Sequence, residues 1–128
     1  SPKKFDNSAL VALGLSGEEF VIEKLYEILD EELHPKIKHV SLNDDTLGYD
    51  IISPSTTKDS CNSFLEVKTS SRALDNTFRL YLSRNEFNVG IQDPRWSLIG
   101  VLIKDGSPHI LGHIKGHQFP KPLSRRRF

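Results

Sequence analysis

The feature that most limits how this chain can fold is an apolar run from Trp96 to Ile103, interrupted only by Ser97 and Gly100. A strand with one solvent-exposed face alternates apolar and polar residues, whereas a strand covered on both faces is apolar throughout. The run therefore predicts a strand that is buried on both faces, and other elements must pack on each side of its sheet.

A long helix is predicted near the start of the chain. Its apolar residues recur at helical spacing at Phe20, Val21, Leu25, Ile28 and Leu29. Ser16 is predicted to cap the N-terminus, with Glu19 three residues later completing a capping box. Pro35 is expected to stop the helix after about Leu33. The spacing also places Glu18 on the inward, apolar face.

The other segments predict further strands and one short helix. We expect, in chain order, strands over 37–42, 49–53, 64–69 and 77–82, a helix from Arg84 to about Val89, and strands over 96–103 and 109–114. Ser83 and Glu86 are interpreted as the cap of the short helix rather than as a catalytic pair. The order predicts an α/β fold in which helices flank a mixed β-sheet.

The length and composition are those of one ordinary globular domain. The chain has 128 residues, of which 37% are hydrophobic and 27% charged, and one cysteine. Because one cysteine cannot form an internal disulfide, and no signal peptide or long apolar segment occurs, we expect a cytoplasmic or nuclear protein without a membrane segment. The histidines show no spacing typical of a metal site. The chain begins Ser-Pro and contains no Met, which suggests a fragment with further domains.

The charges are unevenly distributed, although the formal net charge is zero. Residues 1–34 hold eight acidic and three basic residues, whereas residues 61–128 hold five acidic and eleven basic residues. The C-terminal half is therefore the part expected to face a polyanion such as DNA. Arg125, Arg126 and Arg127 are interpreted more simply as part of a solvated tail.

Two opposite charges occur on the otherwise apolar strand predicted from Phe64 to Thr69. Successive side chains of a strand point to opposite faces, so Glu66 and Lys68 share one face. Burial of a charge is costly unless the charge is paired or binds a metal. The two residues are therefore either a simple ion pair on an exposed strand or part of a functional site.

Asp50 adds a second carboxylate, provided that its strand neighbours the strand of Glu66. Mg²⁺ is held in proteins by one or two carboxylates together with waters and phosphate oxygens. Asp50 and Glu66 are thus candidate ligands for Mg²⁺ or Mn²⁺, with Glu18 as a further ligand or a water holder. Lys68 is the candidate to orient the attacking water or to neutralise charge on a phosphate. Alternatively, Asp50 is only a strand-entry residue that makes turn hydrogen bonds.

The order of these residues is similar to that in known nucleases. Asp50, the segment Glu66-Val67-Lys68 and Glu18 on a preceding helix resemble the PD-(D/E)XK nuclease superfamily, which includes many restriction endonucleases and Holliday-junction resolvases. More narrowly, four segments resemble the protein NO VEIN C-terminal family: Gly17-Glu18-Glu19-Phe20-Val21, Gly48-Tyr49-Asp50-Ile51, Leu65-Glu66-Val67-Lys68-Thr69 and Phe78-x-Leu80-x-Leu82-Ser83-Arg84-Asn85-Glu86. In one departure, Gly48-Tyr49 replaces the proline before the aspartate, a proline that is often absent in the superfamily.

This resemblance implies a restriction-endonuclease-like core. Asp50, Glu66 and Lys68 would form its active site, supported by an acid of the first helix. Glu18 and Glu19 both match that acid, and the inward face favours Glu18. The implied nuclease-like domain spans 17–115, between an N-terminal extension over 1–16 and a basic C-terminal tail over 116–128.

The resulting prediction is a metal-dependent DNA endonuclease domain that belongs to a larger restriction or DNA-processing protein. The residues predicted to contact DNA phosphates are Arg79, Arg84, Arg95, Lys104 and Lys115. Double-strand cleavage usually needs two active sites, so a homodimer is one expected arrangement. The alternatives are a catalytically inactive nucleic-acid-binding module and a protein-interaction module on the same fold.

Overall fold

The structure, a computed structural model, describes residues 7–55, 62–71 and 80–119. The helices are α1 (Asn7–Ile28) and α2 (Arg84–Gln92). The strands are β1 (Lys38–His39), β2 (Ile51–Ser53), β3 (Ser63–Ser70), β4 (Trp96–Lys104) and β5 (Ser107–Lys115). Short 3₁₀ helices occupy Glu31–Lys36, Val40–Leu42 and Gly116–Gln118.

The described strands form one mixed sheet in the order β1-β2-β3-β4-β5. β3 and β4 are parallel, and the other neighbouring pairs are antiparallel. A parallel pair needs a long crossover connection, and here that connection contains α2. The α/β fold with a mixed sheet that the sequence predicts is confirmed.

α1 packs on one face of the sheet. Leu65 and Val67 of β3 point to this face, and Ile51 and Val101 join them from β2 and β4. From α1 comes Val21, which is only 2% exposed. Full burial of an aliphatic side chain stabilises a fold by roughly 1.5–3 kcal/mol. This layer therefore fixes α1 against β3.

α2 packs on the opposite face, over the indole ring of Trp96. This ring is fully buried, its Nε1 donates to Gly48 O (2.8 Å), and it meets the ring of Phe119 edge-on at 5.5 Å between centroids. A Cβ at Gly90 of α2 would stand 3.0 Å from the indole, so glycine permits the close approach. β4 is thus covered on both faces, which confirms the prediction from its apolar run.

α1 begins well before the predicted start. The helix runs through Ser16, whose hydroxyl donates to Leu13 O (2.7 Å) instead of capping an N-terminus. The predicted capping box with Glu19 is therefore wrong. Gly14 and Gly17 keep a helical backbone with negative φ, so the preceding apolar stretch is continuous with the rest of the helix. The boundary expected between the N-terminal extension (1–16) and the nuclease-like domain (17–115) falls inside α1.

The end of α1 also differs from the prediction. The helix ends at Ile28, and the predicted end at Leu33 is wrong, because Asp30 adopts an extended conformation with ψ of 145°. Pro35 lies inside the 3₁₀ helix that follows and does not itself stop α1. Neither α1 nor any other helix in the described ranges is long and apolar enough to cross a membrane.

Three predicted strands differ where the chain is described. The strand expected over 37–42 pairs only at Lys38–His39, because the next three residues turn into a 3₁₀ helix, and the strand expected over 49–53 begins at Ile51. Leu80, Tyr81 and Leu82, from the strand expected over 77–82, are not in a strand, and residues 77–79 lie outside the described residues.

Residues 116–119, assigned to the tail by sequence, pack on α2. Gly116 is buried, and a Cβ there would overlap the carbonyl of Gly90. The ring of Phe119 stacks on that of Phe87, with 5.4 Å between centroids. The rest of the expected tail, residues 120–128, lies outside the described residues.

Candidate active site

Asp50 lies immediately before β2, where the chain enters the sheet beside β3. Its N–H donates to Leu65 O and its Oδ2 accepts from Val67 N–H, each at 2.8 Å. The turn before it depends on Gly48, whose φ of +83° is readily adopted only by glycine. Because Asp50 is hydrogen-bonded to Leu65 and Val67, the residues on either side of Glu66, the carboxylate of Asp50 is held next to Glu66.

Glu66 is 3% exposed, which is unusual for a carboxyl group. Burial and the charges of Asp50 and Glu86 raise the pKa of Glu66 to about 9. Burial also raises the pKa of Asp50 to about 6, against the opposing hydrogen bond from Val67 N–H. The charge of Asp50 contributes to the raised pKa of Glu66, so the two carboxyl groups titrate as a pair that holds one proton near neutral pH.

Lys68 follows Glu66 on the same face of β3, as the alternation predicts. Its Nζ lies 3.4 Å from Glu66 Oε2 and 2.9 Å from Oε1 of Glu86 in α2. Burial lowers the pKa of Lys68, but the hydrogen bond to Glu86 and the charge of Glu66 outweigh this effect and raise the pKa above its ordinary value. Partial burial raises the pKa of Glu86, yet the hydrogen bonds from Lys68 and Ser83 lower it overall. Lys68 therefore stays a cation at neutral pH.

Glu18 projects from α1 toward β1. Its Oε1 accepts from His39 Nε2 (2.6 Å) and from Ser41 Oγ (2.7 Å). Ser41 N–H in turn donates to Asp50 O (3.2 Å). Besides burial, which is the largest cause, the charge of Glu18 contributes to the raised pKa of Asp50. Glu18 is half-buried whereas Glu19 is exposed, so Glu18 is the acid that faces the sheet.

Lys104 and Lys115, two of the predicted phosphate-binding residues, lie at opposite ends of the β4–β5 pair. Lys104 is paired with Ser107, and Lys115 with Ser97. At the rise per residue of a strand, the two lysines are about 25 Å apart, too far to contact one phosphate together. Arg79 lies outside the described residues.

Arg84 and Arg95, two further predicted phosphate-binding residues, flank α2. Arg84 is exposed at the first residue of α2. Arg95 donates from Nε and Nη2 to the two carboxylate oxygens of Asp93, at 3.0 and 2.9 Å, and its guanidinium lies 4.4 Å from the ring centroid of Phe64. Because Asp93 already neutralises Arg95, Arg84 is the better placed of the two to contact a phosphate.

The chemistry of the carboxyl pair fits a hard divalent cation. Such ions prefer oxygen ligands, and Mg²⁺ commonly takes one or two protein carboxylates and completes its shell with water and substrate phosphates. Asp50 and Glu66 supply two carboxylates, and a cation would replace the proton that they hold. Within the described ranges, no three His, Cys, Asp or Glu side chains form a preformed metal cluster. Water and substrate would therefore have to complete the shell.

Sequence reasoning missed the partners of two acids in the site. The spacing of Ser83 and Glu86 identifies Glu86 only as part of a cap, although it also binds Lys68. Neither His39 nor Ser41 was identified as a partner of Glu18. These contacts join residues 18 to 23 positions apart, and no local pattern signals them.

The fold and the site define a class of protein. It is an α/β domain with a mixed sheet, in which a buried glutamate and a lysine on one strand meet an aspartate that immediately precedes the neighbouring strand. The family model described as Protein NO VEIN, C-terminal matches residues 17–111. This match covers well over half of the chain, so the chain belongs to the protein NO VEIN C-terminal family. No curated protein sequence and no solved structure matches the chain.

Proposed function

We propose that this domain is a metal-dependent DNA endonuclease of the PD-(D/E)XK type, acting within a larger restriction or DNA-processing protein. The observation that carries the proposal is the buried Glu66 beside Asp50, whose Oδ2 accepts from Val67 N–H (2.8 Å), with Lys68 Nζ 3.4 Å from Glu66 Oε2. Buried acids with raised pKa values beside a specific charge partner are typical of functional sites.

Each residue of the site has a chemical role in this proposal. Asp50 and Glu66 would hold Mg²⁺ or Mn²⁺ through their carboxylate oxygens. When bound, the ion supplies a Lewis acid that polarises the phosphate and lowers the pKa of water. Lys68 stays protonated, so its ammonium donates to the attacking water or to a phosphate oxygen and offsets the charge that develops there. Glu18 supports the site through its charge beside Asp50.

The choice of DNA as substrate is supported by charge. The C-terminal half of the sequence is basic, and Arg84 is exposed two residues before Glu86. A basic surface attracts the phosphates of any nucleic acid, and its contacts make binding dependent on salt. Cleavage of both strands would use two such domains, which is the reason to propose a homodimer on the substrate.

A second candidate function is a nucleic-acid-binding or protein-interaction module without catalysis. The observation that favours it is that the described residues contain no preformed cluster of three metal-binding side chains. A module of the nucleic-acid-binding kind would bind DNA without a divalent cation and would still bind it after Asp50→Ala. A protein-interaction module would not bind DNA even at low salt.

Cleavage of supercoiled plasmid DNA in the presence of Mg²⁺ tests the endonuclease proposal. The wild type is expected to nick the plasmid, and Asp50→Ala and Lys68→Ala are each expected to reduce the rate by about 100-fold or more. Glu23→Ala, on the exposed face of α1, is the matched control and should keep the wild-type rate. Equal nicking by the wild type and all three variants would contradict the proposal.

A further inference from the structure

Glu86 connects the cap of α2 with the lysine of the site. One oxygen, Oε1, accepts both from Ser83 N–H (2.8 Å) and from Lys68 Nζ (2.9 Å). Ser83 Oγ accepts from Glu86 N–H (3.1 Å), which completes a capping box. A capping box satisfies only backbone groups at the helix start. The bond to Lys68, on a strand 18 residues earlier, is therefore an addition to the cap.

The position of Glu86 is fixed by the packing of its helix. Gly90 of α2 lies against the buried Trp96, and Asn85 Nδ2 donates to Thr46 O (2.8 Å). Asn85 thereby ties the first turn of α2 to the segment that leads into β2. The carboxylate of Glu86 thus projects from a helix turn that is held at two points.

Lys68 depends on this carboxylate more than on its neighbour in the strand. The distance of 2.9 Å to Glu86 is that of a charge-assisted hydrogen bond, whereas the distance of 3.4 Å to Glu66 is long for one. A lysine side chain has many rotamers, and a flexible chain holds its ammonium in place only when a fixed partner binds it.

We propose that Glu86 is a positioning residue, which holds the ammonium of Lys68 beside Glu66 and acts on the reaction through Lys68. The catalytic consequence rests on the proposed endonuclease function, whereas the positioning itself does not. Two independent measurements, one without substrate and one with it, therefore test the two parts.

Correlation spectra of the ¹⁵N-labelled lysine ammonium groups test the positioning without substrate. Ammonium protons give a signal where a hydrogen bond slows their exchange with water. We expect a Lys68 signal, assigned by its loss in Lys68→Arg, in the wild type and in Ser83→Ala, which keeps the carboxylate of Glu86. The signal should be lost in Glu86→Ala. A Lys68 signal in folded Glu86→Ala as strong as in the wild type, or no Lys68 signal in the wild type, would overturn the inference.

Steady-state cleavage tests the catalytic consequence. Glu86→Ala is expected to lower kcat by about tenfold or more while KM changes by less than about twofold, because Glu86 does not contact the substrate. Ser83→Ala removes the capping hydroxyl and is expected to keep the wild-type kcat, which separates weakening of the helix from loss of Lys68 positioning. A wild-type kcat in Glu86→Ala would overturn the catalytic part. If the wild type itself does not cleave, the proposed function fails, and the ammonium spectra still decide the positioning.

Discussion

At the scale of single residues, the site depends on two carboxyl groups that are costly to ionise together. Asp50 and Glu66 lie on adjacent segments of the sheet, and their pKa values in the folded protein are about 6 and about 9. In an unfolded chain both groups have pKa values of about 4. The folded protein therefore keeps protons that the unfolded chain has released, and its stability is linked to pH.

We expect the contribution of this carboxyl pair to the free energy of unfolding to fall as the pH rises from about 4 to about 9, with the window set by the two pKa values. In this range the folded state binds more protons, and each extra proton costs at most about 1.4 kcal/mol of stability per pH unit. Glu66→Gln removes the larger contribution, so its stability should depend less on pH. Urea denaturation at a series of pH values measures both curves, and parallel curves for Glu66→Gln and the wild type would refute this expectation.

The sequence predicts part of the site at this scale. The alternation of side chains places Glu66 and Lys68 on one face of β3, because that rule is local. It places Asp50 beside Glu66 only on the condition that the strands are neighbours, which the structure meets. The contact between Glu86 and Lys68 could not be predicted, since it depends on where α2 crosses the sheet.

At the scale of elements, α1 shows how packing overrides local signals. Ser16 followed by Glu19 has the pattern of a helix start, yet the helix passes through both residues. Gly17, which favours a boundary in a local pattern, lies directly against Thr69 of β3. Glycine at position 17 therefore allows α1 to approach the sheet closely and does not end the helix. From one sequence alone, a glycine that permits close packing cannot be distinguished from a glycine that ends a helix.

Two glycines of α1 give a matched test of this packing. Gly17→Ala is expected to lower the free energy of unfolding by about 2 kcal/mol, because its Cβ would overlap Thr69 Oγ1. Gly14→Ala is expected to raise it by about 0.5–1 kcal/mol, because nothing lies within 4 Å of a Cβ at that position and alanine favours the helix. Chemical denaturation measures both changes. An equal gain in stability for the two variants would show that α1 does not approach β3 at Gly17.

At the scale of the whole molecule, the class of fold could be predicted but the arrangement of the sheet could not. The apolar run of β4 indicates a strand covered on both faces, and α1 and α2 cover it. The order and direction of the strands depend on the crossover connection between β3 and β4, and no local sequence pattern predicts that connection. The basic C-terminal half likewise does not reveal that Lys104 and Lys115 lie far apart, or that Asp93 pairs with Arg95.

Charge at this scale leads to a prediction for DNA binding. Arg84→Ala is expected to weaken binding to duplex DNA and to reduce the slope of log affinity against log salt by about 1. Arg95→Ala should have a smaller effect, because its guanidinium is paired with Asp93. Fluorescence anisotropy at several salt concentrations, with Ca²⁺ in place of Mg²⁺, measures both variants. Equal losses of affinity would contradict the distinction between the two arginines.

The central claim is that Asp50 and Glu66 together form a cation site. Isothermal titration calorimetry with Mn²⁺ tests it most directly. The wild type is expected to bind Mn²⁺ and to release protons at neutral pH, because the ion replaces the proton of the carboxyl pair. Asp50→Ala and Glu66→Gln should lose this binding, whereas Glu23→Ala, on the exposed face of α1, should keep it. Binding of equal strength in the wild type and in all three variants would contradict the claim.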